Sequence, residues 1–457
     1  MENLIGLHLK GLTGSGFLAF GRQVLRDEMC RERKPSGRLS SERLSRRYSG
    51  MTYAVPALQL QNMMCIWTLA AKRPCSGSGT GSMKGGCDCC WISYPITLHW
   101  NMRGFKNIRN AYVHGTDEQL LHEPQNYVRM NCGSKARVLA YGRDPYFSGW
   151  PDTLQLNYAE PTLQDAMRQQ LEKVAAKCDG VRCDMAMLVL PNVFGRTWGL
   201  QMEPFWSGAI ESIRSNWPSF LFMAEVYWDL EWTLQQQGFD YTYDKRLYDR
   251  LRDGHAGPVR DHFHADKEFQ NKSARFLENH DEPWAVETFA PEMHQAAAVL
   301  TFLCPGLRFF HDGQFEGRTK KLSVHLRRRP IEVADSRLHD FYIRLRNCVH
   351  LPQTRDGEWS LLNCAAAWDG NWTSDCFICF AWQKSEQPPL VVIVNYAPNS
   401  SQCYVQLSFD ELCGRTVRAQ DLMSSAVYER EGDELFRRGI YIEMPEWGYH
   451  VLNLETL

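Results

Sequence analysis

An excess of either charge is missing from this chain: 51 Lys and Arg stand against 53 Asp and Glu, a net charge of −2 over 457 residues. That balance gives no electrostatic reason to expect nucleic acid or an anionic membrane as partner. No apolar run is long enough to span a bilayer. The opening Met1-Glu-Asn-Leu-Ile-Gly-Leu-His-Leu-Lys10 lacks a basic leader followed by an apolar core and a cleavage site. These absences read as a soluble, cytoplasmic protein, in which the 16 Cys, scattered without a framework, are mostly reduced. The Gly/Ser-rich run Ser76 to Gly86 lacks the Gly-Lys-Ser/Thr ending of a phosphate loop, and its glycines miss the G-x-G-x-x-G spacing. Cys87, Cys89 and Cys90 are too crowded for a zinc half-site. No metal and no cofactor are assigned.

What is present centres on Cys178-Asp-Gly-Val-Arg-Cys-Asp-Met-Ala-Met187. Side chains alternate along a strand, so Arg182 and Asp184 share one face at its C-terminal end. A cation beside a carboxylate in a confined site keeps the acid ionised, as an attacking or charge-stabilising group requires. Phe220-Leu-Phe-Met-Ala-Glu225 and Arg275-Phe-Leu-Glu-Asn-His-Asp281 repeat the pattern of an apolar strand closing on an acid. Any one of these is usually an ion pair or a helix cap. Three together, with helical sequence between them, suit a parallel barrel whose chemistry sits at the C-terminal rim.

Here the chain resembles the α-amylase family of retaining glycoside hydrolases. Arg182-x-Asp184 matches that family's nucleophile strand, Glu225 its general acid/base, and Asn279-His280-Asp281 the strand bearing the transition-state-stabilising aspartate. The resemblance implies an α/β fold, a (β/α)8 TIM barrel followed by a small antiparallel β-sandwich. It also implies cleavage of α-glucosidic bonds in glucans or oligosaccharides by double displacement, with Asp184, Glu225 and Asp281 catalytic and Arg182 and His280 binding substrate. The aromatic content, 12% with 15 Trp, agrees with sugar stacking, and Tyr227 and Trp228 follow Glu225 directly. Met185-Ala-Met-Leu188 stands where many amylases place a Lys-His pair, so hydrolysis and glucan transfer both stay open. A degenerate barrel that binds carbohydrate without turnover is the reading from another class.

The family also carries an earlier strand of the form Asp-x-Val-x-Asn-His, which includes a calcium-ligating Asn, and the chain lacks it. Its trace lies in the neighbouring reading frame. When each codon is re-read from the last base of one residue and the first two of the next, Trp91 to Thr97 permits Asp-Phe-Val-Pro-Asn-His. The expectation is that roughly Asn62 to Arg109 comes from a shifted frame, restored near Asn110; a divergent insertion is the alternative. On that account 1–110 is a poorly ordered remnant whose early strands are missing or irregular. Residues 111–355 then hold the last five strand-helix units of the barrel, and 356–457 the sandwich.

Within the barrel portion, Pro161 opens a helix with the stripe Leu163, Met167, Leu171 and Val174. Helices are expected over Pro204–Ser215, Leu230–Gln237, Lys245–Arg252, Val259–Lys272, Met293–Leu303 and Leu338–Val349. Strands are expected over Ser219–Glu225, Phe239–Tyr243, Ala274–Asn279 and Gly306–Gln314.

Overall fold

The computed structural model describes residues 110–132, 135–321 and 330–457, and the backbone of strands 17–20, 91–94 and 97–99. The Gly/Ser run and the Cys87–Cys90 cluster lie outside the described residues. The described chain falls into two compact units, one ending at Asp240 and the other holding Phe17–Phe20 and everything from Tyr241.

In the first unit three parallel strands lie side by side, with Gly180–Cys183 between Trp91–Tyr94 and Leu221–Ala224. All four residues of the central strand are buried, as expected for a parallel strand covered on both faces. Helix Pro161–Ala175 packs its stripe against this layer, stepping by four through Leu163, Met167, Leu171 and Ala175. Val174, expected in that stripe, is only partly buried, because Ala175 takes the next place on the 3.6-residue period. Trp206 opens helix Trp206–Asn216 fully buried, edge-on to Phe205 and Phe239 at 5.1 Å each.

Two strands of the region before residue 110 are described and paired. Trp91–Tyr94 pairs in regular parallel register with the central strand, Ser93 opposite Arg182. In the second unit Phe17–Phe20 pairs in parallel with Leu307–His311. Backbone ladders form through N–H and C=O groups that every residue carries, and Trp-Ile-Ser-Tyr is rich in strand-favouring side chains.

The second unit continues with Ser273–Arg275 beside Leu307–His311 and Tyr241–Tyr243 beside Ser273–Arg275, all parallel. The helix expected over Val259–Lys272 is two helices, Ala256–His262 and Lys267–Asn271. Asp266 separates them by capping the second, its carboxylate accepting from the N–H of Glu268 at 2.7 Å. Pro291–Leu303 and Ser336–Val349 form as expected, each extended by two residues at its start.

From Glu358 the chain is antiparallel. A six-stranded sheet with Phe377–Lys384, Gln387–Asn395 and Tyr449–Thr456 at its middle accompanies a three-stranded sheet of Cys364–Ala366, Ser401–Val405 and Ile440–Met444. The strict alternation of buried and exposed residues along Ile440–Met444 supplies one wall of the core, and Phe377, Ala381 and Ile393 belong to the same cluster.

A buried carboxylate organises one corner of this domain. Asp421 is 2% exposed and accepts from Ser424 Oγ at 2.6 Å and from the N–H groups of Met423 and Val451 at 3.1 Å, with His450 Nδ1 at 3.0 Å. Burial alone would raise its pKa; the hydrogen bonds from His450, Ser424, Val451 and Met423 outweigh it and hold the carboxyl below its ordinary 3.8. A depressed carboxyl stabilises the fold fully above the ordinary value, and that contribution is lost as pH falls through the folded-state value. Asp421→Asn should therefore lower the thermal midpoint at neutral pH, the gap to the parent closing as pH drops below 3.8. A gap unchanged down to acid pH would show that the charge contributes nothing.

Candidate active site

Asp184 follows directly on the central strand and Glu225 on its neighbour, so parallel pairing brings both acids to the C-terminal ends of adjacent strands. Arg182 joins them. Its Nη1 donates to Asp184 Oδ1 at 2.6 Å and its Nη2 lies 2.8 Å from Glu225 Oε2. The guanidinium and the Glu225 side chain are each 4% exposed, while Asp184 is 39% exposed and faces solvent. Arg182, expected among the substrate-binding residues, is thus engaged with two carboxylates.

The chain after each acid is shaped around Glu225. Met185 takes a left-handed conformation, φ 42, which an unbranched residue other than glycine seldom adopts. This turns its N–H onto Glu225 Oε2 at 2.8 Å, while the N–H of Ala186 reaches the Glu225 carbonyl at 3.0 Å. The Trp206 indole N–H holds the Ala186 carbonyl at 2.9 Å, tying the turn to the core. On the other oxygen, the Tyr227 hydroxyl donates to Glu225 Oε1 at 2.9 Å. Trp228 and Asp229 are also left-handed, φ 65 and 60. Two consecutive strained residues directly after a buried acid mark a place where the fold sustains a cost for geometry. Their conformation accompanies an edge-on contact between Trp228 and Tyr146, centroids 5.0 Å apart, with Tyr146 60% exposed.

In the second unit Asp281 and His280 lie on the segment after Ser273–Arg275, the imidazole Nε2 3.1 Å from Asp281 Oδ2. Both are partly exposed, 49% and 37%. Asn279 shapes this segment, its Oδ1 accepting from the N–H groups of Asp281 and Glu282 at 2.8 Å each. Lys321 Nζ closes over it, donating to the carbonyls of Asp281 and Glu282. Glu278 and His311, read from the sequence only as parts of strands, pair at 3.0 Å, the carboxylate buried and the imidazole partly so. They are 33 residues apart, and only the parallel pairing of their strands relates them.

Among the described residues, no cluster of His, Cys, Asp and Glu has the arrangement of a metal site, and no helix is long and apolar enough to cross a membrane.

No protein-family profile matches the sequence, and a sequence search of characterised proteins returns no match. Solved structures do match. An α-amylase from H. orenii superposes with a TM-score of 0.56 at 16% identity over 80% of each chain. A noncanonic maltogenic α-amylase from Thermotoga neapolitana gives 0.54 at 16% identity over 76% of each. The cyclic α-maltosyl-(1→6)-maltose hydrolase of Arthrobacter globiformis gives 0.52 at 15% identity, over 79% of this chain and 74% of that one. At these identities the likeness is one of architecture: the chain has the fold of α-amylase-type glycoside hydrolases.

Proposed function

We propose that this chain derives from a glycosidase that cleaves α-glucosidic bonds of glucans or oligosaccharides with retention, on a (β/α)8 barrel. The observation that carries the reading is the Arg182 bridge, which holds a solvent-facing Asp184 and a buried Glu225 at adjacent strand ends. A fold shared with α-amylases is the expected setting for that pair.

In this mechanism Asp184 attacks the anomeric carbon as the glycosidic bond breaks, and Glu225 gives its proton to the departing oxygen. Water then attacks the glycosyl-enzyme ester, Glu225 takes the water's proton, and Asp184 leaves. Oε2 of Glu225 is held by the Met185 N–H and Arg182, whereas Oε1 meets the rotatable hydroxyl of Tyr227. Oε1 is therefore the oxygen suited to carry the proton. Asp281, with His280, favours the oxocarbenium-like transition state, and Arg182 acts through the two carboxylates. Tyr146 and Trp228 offer aromatic faces for a sugar ring.

Trp91–Tyr94, the first part of the stretch whose bases re-read as the missing strand motif, lies directly against the Asp184 strand. On the shifted-frame reading the literal chain keeps its scaffold and has little or no turnover. Resequencing the coding DNA should show Asp-Phe-Val-Pro-Asn-His in the neighbouring frame across Trp91 to Thr97; nucleotides that do not encode it would make the segment a genuine insertion. Frame-restored protein should release shorter sugars from maltooligosaccharides, and Asp184→Asn should abolish the release. Product formed equally by Asp184→Asn would sink the assignment.

A further inference from the structure

Glu278 ends the sequence that leads into Asn279-His280-Asp281, and its side chain is 2% exposed. Burial raises its pKa, with the His311 contact opposing. Each oxygen has one task. Oε2 accepts from the N–H of Ala285 at 2.8 Å, closing residues 279–284 into a loop, and Oε1 meets His311 Nδ1 at 3.0 Å. The loop that carries His280 and Asp281 is thereby fastened to the C-terminal end of strand Leu307–His311. Trp284, at the end of the loop, lies against the imidazole with centroids 4.9 Å apart.

Three nitrogens are left over. With Nδ1 committed to Glu278, His311 has Nε2 remaining, on a side chain 18% exposed and so within reach of a ligand. Trp284 Nε1 and Asn279 Nδ2 are buried without a hydrogen-bond partner, on residues 7% and 2% exposed. A buried unsatisfied donor costs about 1–3 kcal/mol, so the one that Trp284 carries on a ring against a partly open imidazole calls for an occupant. A sugar hydroxyl both donates and accepts, which matches an amide, an indole N–H and an imidazole nitrogen together.

We propose that His311, oriented by Glu278, is a substrate-binding residue that hydrogen-bonds a glucan hydroxyl through Nε2, with Trp284 Nε1 and Asn279 Nδ2 as companion donors. This rests on the glycosidase reading above and adds to it a binding group from the last parallel strand. Glu278 acts through His311 and is a positioning residue.

The test is calorimetric titration of the full chain with maltoheptaose, alongside thermal midpoints. His311→Ala should weaken binding about tenfold and Trp284→Phe about fivefold, the latter keeping a ring against the imidazole while removing only the indole donor. Glu278→Gln, whose single carbonyl oxygen cannot accept from both the His311 Nδ1 hydrogen and the Ala285 N–H, should weaken binding about threefold. Parent-like affinity in both His311→Ala and Trp284→Phe would overturn the proposal and leave the glycosidase reading standing. Weakened binding accompanied by a matching fall in thermal midpoint in Trp284→Phe would overturn it as well, showing a purely structural role. An unsubstituted chain that binds no maltoheptaose would overturn the proposal, whereas the glycosidase reading falls only if frame-restored protein releases no sugars.

Discussion

Replacing Arg182 with Met is expected to destabilise the unit that contains it by about 3–5 kcal/mol, the range seen when one partner of a buried ion pair is removed. The cost arises from what remains. Glu225, 4% exposed, would keep the Met185 N–H and the Tyr227 hydroxyl but lose the cation opposite its charge. Asp184 adds little to this sum, because at 39% exposure water replaces much of what Arg182 supplies. Removing the charge as well, in Arg182→Met with Glu225→Leu, should recover part of the loss, since a well-packed apolar pair of similar volume often matches a buried ion pair. Urea unfolding followed by tryptophan fluorescence measures both. A loss below about 1 kcal/mol in the single variant would mean that the pair is held as loosely as a surface bridge.

Glu225→Gln is expected to lower turnover of frame-restored protein on maltooligosaccharides by about 10²–10⁴-fold, the usual contribution of a positioned general acid. Gln keeps the shape, its carbonyl oxygen accepting from the Met185 N–H while its amide donates to the Tyr227 hydroxyl oxygen, so the fold should persist, but it has no acidic proton to give. The loss should shrink for an α-glucosyl fluoride, whose leaving group departs without protonation. Equal losses on both substrates would place Glu225 outside the proton-transfer step.

The fold was legible where period and punctuation agree. Pro161 and a four-residue apolar step mark the helix before the Asp184 strand, and the strands before Asp184 and Glu225 fall where apolar runs end in acids, whereas Ser273–Arg275 covers only the start of the strand expected over Ala274–Asn279. Helix Pro191–Trp198 went unread although its signals are present: Pro191 at its first turn and Gly199, φ 69, just past its end. The hairpin of Tyr127–Cys132 with Lys135–Ala140 also went unread; its strands carry Arg129, Asn131, Lys135 and Arg137, which blur the alternation.

The candidate site was legible only along the chain. Arg182 and Asp184 are two residues apart, so strand geometry alone relates them. That the same guanidinium also reaches Glu225 is a tertiary fact, set by the pairing of Arg182 with Met223. The same holds for Tyr146 against Trp228 and for Glu278 against His311. The strained turns at Met185 and Trp228 carry no warning in their residue types; only Asp229 is of a kind that visits the left-handed region.

The central claim is that Asp184 becomes covalently bonded to sugar. Frame-restored protein incubated with a 2-deoxy-2-fluoro-α-glucosyl fluoride should accumulate a glycosyl-enzyme, because the fluorine at carbon 2 slows both steps through the oxocarbenium-like transition state and the good leaving group rescues only the first. Peptide mass spectrometry should then find one added fluoroglucosyl group on the peptide spanning Asp184, and none in Asp184→Asn. A label on any other carboxylate, or no label in a preparation that turns over maltooligosaccharides, would contradict the account.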